Sequence, residues 1–323
     1  MSFDWNAYRA ALPDDVEAVE WEDAEDLGRL SVSAFLSEQS PVRREASSGF
    51  VKLTGAGVSG HTAPVEQVAN VMRNFQRLVL ASGLSLSGFK TLRGRLPSDV
   101  VSKTLLHLDG SALAGSLVLT VIPATPPEQE IMPDGQAEFF RDDDKQLVDQ
   151  AVEKSVSLLN MAKEIGPDAD DSEFLAEVLD AGPRVASTLR DLADTLVQGD
   201  FDTELAWNEP GQRRLVSRLT VPQLAHLSTL VASRELAKEP TVLTGIIRTV
   251  SDIAPLRVEI ADGQIETIQA DDIPHGVIAE LRVGMTVRIA ASVTEDVSAG
   301  GDVKTRYTAS AIEVLSEPED ATS

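Results

Sequence analysis

The chain has 323 residues, with 28 Lys and Arg against 52 Asp and Glu and a formal net charge of −24. That length accommodates two or three domains, and the absence of cysteine excludes disulfide frameworks, Cys-ligated zinc, iron–sulfur clusters and thiol catalysis together. No apolar run approaches the ~18 residues of a membrane span, and the start lacks a basic stretch followed by an apolar one, so the expectation is a soluble, cytoplasmic, multidomain protein with no membrane partner.

The charge is segregated. Residues 1–42 hold 2 basic and 10 acidic side chains, a net of −8. They read as an acidic N-terminal arm, in which Trp5, Tyr8 and Leu12 recur at the spacing of one helix face. Residues 43–107 invert the balance, with 9 basic and 3 acidic side chains, and form a basic island in an acidic chain. Acidity of the remainder repels nucleic acid and anionic membrane as bulk partners.

Residues 43–122 read as an α+β unit. Phe50, Lys52 and Thr54 alternate with Val51 and Leu53, so a strand runs into the turn Gly55-Ala56-Gly57. Thr62 and Pro64 suggest a helix start, and Val65, Val68, Met72, Phe75 and Val79 supply its apolar stripe. A hairpin follows, whose second strand, Leu117 to Ile122, consists almost wholly of β-formers and is expected to be buried on both faces. Residues 123–141, with Pro123, Pro126, Pro127, Pro133 and Gly135, read as a linker.

From 142 to 238 the pattern turns helical, with apolar stripes over 147–162, 174–179 and 185–196 separated by Gly166-Pro167 and Gly182-Pro183. Phe201 to Leu205 reads as a strand, and Val221 to Leu236 as a further helix. Residues 239–316 then alternate in five strands. Asp262-Gly263 marks the tightest hairpin, Gly245 a bend, and Pro274 to Leu281 a short helix between the third strand and the fourth. That order, β-β-β-α-β-β, resembles the OB-fold, a small five-stranded barrel. The resemblance covers about a quarter of the chain, rests on element order, and implies the barrel architecture alone. Residues 317–323 form an acidic tail. The fold class expected is α+β multidomain: an N-terminal α+β unit, a helical middle and a C-terminal OB-like barrel.

Chemistry-bearing patterns are few. Asn70, Arg73, Asn74 and Arg77 fall on one face of the predicted helix, and Lys90, Arg93, Arg95 and Lys103 follow it. Forked guanidinium donors on one face suit phosphate oxygens, so these eight residues are candidates for phosphate or partner contact. The bland alternative is a solvated helix face paired with the acidic arm. Gly55, Gly57 and Gly60 follow the G-x-G-x-x-G spacing and precede His61 and a helix, which makes them a candidate anion-binding turn. The acidic residue and second parallel strand of a dinucleotide site do not follow. Asp142-Asp143-Asp144 and the run Asp168, Asp170, Asp171 and Glu173 precede helices and read as capping groups. His61, His107, His226 and His275 are isolated, and no residue set reads as catalytic or metal-binding. In the barrel, Glu295, Asp296 and Asp302 would repel phosphate, and Tyr307 is the only aromatic residue.

Three modules, segregated charge and no catalytic pattern lead to the expectation of a non-catalytic binding or accessory protein acting through protein–protein contacts. One alternative is a nucleic-acid-linked regulator using the basic island at 73–103. Another is a protein that binds a small phosphorylated ligand at the glycine turn, 55–62. No pattern calls for a cofactor, and none sets an oligomeric state.

Overall fold

The computed structural model describes residues 45–93, 95–109, 117–131, 145–164, 171–251, 253–261, 263–297 and 303–316, with Gly28 and Ser31. The rest of the acidic arm, the run Asp142–Asp144, Asp168, Asp170, the loop at 298–302 and the acidic tail lie outside the described residues.

Strand β1 (Ser48–Thr54) alternates buried and half-buried positions along its length. It is the middle of a five-stranded sheet with β2 (Leu106–Asp109), β3 (Leu117–Pro123), β4 (Asp202–Asn208) and β5 (Leu215–Leu219), in the order β2-β3-β1-β4-β5. Every neighbouring pair is antiparallel. The segments 43–122 and 142–238 therefore share one sheet, because β4 pairs along the whole of β1 from Ser48↔Asn208 to Thr54↔Asp202.

Seven helices accompany this sheet among the described residues: α1 (Val65–Leu86), α2 (Ser98–Lys103), α3 (Pro127–Ile131), α4 (Leu147–Glu164), α5 (Ser172–Ala181), α6 (Pro183–Gln198) and α7 (Val221–Ser233). Helix α1 starts two residues later than an N-cap at Thr62 would place it. Pro64 holds an extended backbone (φ −61°, ψ 130°), and the Thr62 hydroxyl instead donates to the Ser59 carbonyl at 2.9 Å. Helix α6 begins with Pro183 directly after Gly182, whose φ of +95° reverses the chain from α5. Thr220 and Gln223 close a capping box at α7. Asp171 stands before α5 without bonding its backbone as a cap; its carboxylate accepts from Arg234 at 3.2 Å instead.

One continuous apolar cluster runs from Val51 to Leu236 and joins the stripes of α1, α4, α5, α6 and α7 to one face of the sheet. Inside it, the Trp207 indole donates to the buried Asp149 carboxylate at 2.8 Å, which satisfies both polar groups where water is excluded. A second cluster fills a closed barrel of β6 (Glu239–Thr249), β7 (Leu256–Ile260), β8 (Ile265–Gln269), β9 (Thr286–Val297) and β10 (Val303–Ser316), with α8 (His275–Glu280) between β8 and β9. The barrel closes because β10 pairs parallel to β8 on one side and antiparallel to β9 on the other. Gly245 lies where β6 crosses closest to β7: a Cβ there would be 2.3 Å from the Glu259 carbonyl oxygen.

Candidate functional site

The register of the sheet sorts its side chains onto two faces. Val51, Leu53, Val121, Leu205, Trp207 and Leu219 face the helices and belong to the large core cluster. Phe50 pairs with Thr120 and Ala206, Lys52 with Val118 and Glu204, and Ala206 with Val216, so these residues share the opposite, outer face. His107↔Ile122 and Glu204↔Arg218 extend it on either side. None of Phe50, Val118, Ile122 and Val216 joins the core cluster, and no helix packs on this face among the described residues.

Strand β3 was expected to be buried on both faces. In the structure only Val121 and Pro123 of its seven residues are fully buried. On its helix-facing side Leu117 and Leu119 are half-buried beside buried Val121 and Pro123, and on the other side Val118, Thr120 and Ile122 are half-buried. Charge surrounds the apolar centre. The Arg214 guanidinium stacks over Phe50, 5.1 Å from the ring centroid. Glu204 accepts from Arg218 at 3.1 Å and lies 3.8 Å from Lys52. Burial works to raise the Glu204 carboxyl, but the Arg218 hydrogen bond and the charges of Arg218, Lys52 and Arg214 outweigh it and hold the group below the usual range.

The basic island lies elsewhere and is engaged within the chain. Asn74 is buried, and its amide donates to Thr195 Oγ1 at 2.7 Å and the Asp191 carbonyl at 3.3 Å, so this face of α1 packs on α6. Arg77 donates to Asp191 Oδ2 at 2.7 Å and sits 3.7 Å from Glu295 of β9. Arg73 donates to Asn70 one turn before it. Lys90 bonds Asp180 at 3.0 Å, Arg93 bonds Glu239 at 3.1 Å, and Lys103 reaches Asp99 at 3.1 Å. Arg95 is exposed on the segment before α2. The eight residues are thus spread over α1 and its contact with α6, the α5 end, the edge of the barrel, and α2 with the segment before it, rather than over one solvated face.

Several of them form a seam that fixes the barrel to the sheet-and-helix body. Leu92 is inserted into the barrel cluster and is 2% exposed. Its N–H donates to Glu239 Oε2 at 2.6 Å, and Arg93 adds a bond to Thr241 Oγ1 at 2.6 Å. Beside it, Arg184 of α6 donates to the Thr91 carbonyl at 2.8 Å and to the Glu295 carboxylate. The side chains of Arg184 and Glu295 are 9% and 4% exposed. Burial lowers the Arg184 pKa and raises that of Glu295, in both cases against the attraction of the opposite charge. Glu295 and Asp296 were expected to lie, with Asp302, in the loop between the fourth and fifth barrel strands. Both lie in β9, opposite Thr305 and Lys304 of β10.

The glycine turn is closed by its own backbone. Gly57 N–H donates to the Asp200 carbonyl, Val58 N–H to Gly55, and Ser59 and Thr62 exchange bonds. These donors are directed at protein carbonyls rather than at an open cradle. A Cβ on Gly57 would lie 1.8 Å from the Gly199 carbonyl oxygen, so this glycine allows the α6–β4 turn to approach. His61 and His107 are exposed, and His275 opens α8. Among the described residues, no group of three or more His, Asp or Glu could hold a metal ion. A cavity of about 40 Å³ beside Glu45, Asn208 and Glu209 has room for a water molecule and little more.

The outer-face residues Phe50, Val118, Ile122 and Val216 were not singled out from the sequence. Their signal was present in β3, whose apolar residues occupy both alternating sets.

No family model matches the chain, and no curated protein matches it. Among solved structures the chain is similar to the OBody NL8, in a structure described as bound to hen egg-white lysozyme, at 19% identity over 25% of this chain and 99% of that one, with a TM-score of 0.22. No helix among the described residues is long and apolar enough to cross a membrane.

Proposed function

We propose that the chain is a non-catalytic binding or accessory protein whose contact surface for another protein is the outer face of the sheet. The observation that carries this reading is the apolar centre of that face, Phe50, Val118, Ile122 and Val216, left outside the core cluster while Arg214, Lys52, Arg218 and Glu204 surround it. An apolar patch rimmed by charged side chains is the usual composition of a protein contact site. The OB-like barrel serves here as a structural module held by the seam at Leu92, Arg184 and Glu295. The nucleic-acid alternative draws no support from the island, because Arg77, Lys90, Arg93 and Lys103 already have carboxylate partners.

The test is capture of a partner from lysate by the tagged full-length chain and two variants. Phe50→Asp should abolish recovery of the partner, with an unchanged circular dichroism spectrum. Arg95→Glu with Lys103→Glu should leave recovery intact. The opposite pattern would move the contact to the basic segment.

A further inference from the structure

We propose that the chain forms a two-fold dimer in which the free edge of β2 pairs with the same edge of a second copy, antiparallel and centred on Leu108. This goes beyond the contact surface on the outer face and does not depend on it.

The two edges of the five-stranded sheet differ. At one edge, α4 packs along β5, and Asn160 donates from that helix to the Val216 carbonyl at 3.0 Å. At the other edge stands β2, and among the described residues no strand lies beyond it. The Leu105 carbonyl accepts the Ala124 N–H at 2.8 Å, so Leu105 faces the β3 side. The Leu106 N–H donates instead to Gln76 Oε1 at 2.8 Å, away from β3. Main-chain groups alternate from side to side along an antiparallel strand, and the N–H and C=O of Leu108 therefore point outward like those of Leu106. His107, Leu108 and Asp109 are exposed, Leu108 by 61%. Such an edge is a template for a further strand, and natural edges are commonly guarded by Lys or Pro. Neither occurs from Leu106 to Asp109.

Charge and hydrogen bonding select the register. Self-pairing centred on His107 would set imidazole against imidazole, and it would need the Leu106 N–H that Gln76 already holds. Self-pairing centred on Leu108 uses groups that are open. Each Leu108 N–H donates to the Leu108 carbonyl of the second copy, and the two exposed leucine side chains cover one another. On either side of that centre, His107 of one copy stands opposite Asp109 of the other. Both side chains belong to the outer face, through His107↔Ile122 and Asp109↔Thr120. These flanking pairs are of the non-hydrogen-bonded kind, with Cα atoms about 4.5 Å apart, where cross-strand side chains approach most closely. The strand is thus complementary to itself about Leu108 in hydrogen bonds, apolar contact and charge, as an isologous interface requires. That self-complementarity singles out a second copy as the occupant of the edge.

Sedimentation of the full-length chain over a range of concentrations should show a monomer–dimer equilibrium. His107→Asp sets carboxylate against carboxylate at both flanking pairs and should weaken the dimer about tenfold. Adding Asp109→His to that variant restores an opposite pair at each position and should restore the dimer. Leu108→Lys should leave only monomer. The three positions are exposed, so all variants should keep the circular dichroism spectrum of the parent. The chain contains no cysteine, and Cα atoms of a directly opposed hydrogen-bonded pair lie about 5.5 Å apart, within the span of a disulfide. Under mild oxidation Leu108→Cys should therefore form a covalent dimer, while Thr244→Cys, on the exposed side of β6, should not. A single monomeric species at every concentration, with Leu108→Cys unlinked, would overturn the inference. A dimer that survives Leu108→Lys, or that the second substitution fails to restore, would overturn it equally.

Discussion

The ion cluster at the seam makes a prediction that runs against the usual expectation for salt bridges. Arg184 and Glu295 are almost wholly excluded from water, and Arg77 stands 3.7 Å from the same carboxylate. At an effective dielectric of about 20, an ion pair at that separation gains roughly 4 kcal/mol of attraction, and removing each ion from water costs several kcal/mol. The two sides nearly cancel, in agreement with the pKa directions, where burial outweighs attraction for both partners. Breaking the pair by Glu295→Met should therefore cost about 3–5 kcal/mol, because Arg184 is left buried without a counter-charge, whereas Arg184→Met should cost less, because Arg77 still stands 3.7 Å from the Glu295 carboxylate. Replacing both should cost far less than the sum, and the double variant should lie within about 1 kcal/mol of the parent or above it. Arg77 keeps Asp191 at 2.7 Å in the double variant, while the Thr91 carbonyl loses a donor in both Arg184 variants. Urea unfolding monitored by circular dichroism gives the four free energies of the cycle. Single losses below about 1 kcal/mol that add in the double variant would show a cluster open to solvent and refute the reasoning.

Other predictions follow from single contacts. The raised Glu295 pKa means that the folded state binds its proton more readily than the unfolded chain does. Stability from this group is thus present at low pH and lost as pH rises through the raised value, so the difference between the parent and Glu295→Gln should shift in favour of the parent as pH falls from neutrality. Gly57→Ala should cost more than about 2 kcal/mol, because its Cβ meets a backbone oxygen. Gly60→Ala, at φ +64° in open space, should cost only about 1 kcal/mol; thermal melts separate the two. Leu92→Ala should destabilise the chain by about 2–5 kcal/mol through the cavity left in the barrel cluster, and equal stability would mean that the seam is not packed as described.

The parts legible in the sequence were those whose causes are local. The clean alternation at Val287, Ile289, Ala291 and Val293, and the tight turn before Gln264, each depend on residues within one element, and the barrel follows in the expected order. The stripe of α1 was legible for the same reason. What was hidden depends on distant residues. Asn74 and Arg77 look like a solvated polar face until Thr195, Asp191 and Glu295 are brought against them from over a hundred positions away. Likewise Thr203, Leu205 and Trp207 reveal nothing of their pairing with β1, which unites two segments that composition separates at the Pro-rich stretch. The outer face was concealed differently. A run of β-formers in β3 states that both faces are apolar, and it does not say what lies on each.

The most direct test of the central claim is to purify the tagged full-length chain from its native source, treat half of the lysate with nuclease, and measure what co-purifies and in what stoichiometry. A contact made by the outer sheet face predicts a stoichiometric protein partner, recovered equally from both halves and absent when Phe50→Asp is used as bait. Recovery that disappears with nuclease, and with it nucleic acid in the untreated eluate, would contradict the account and return the basic island to the centre of the function.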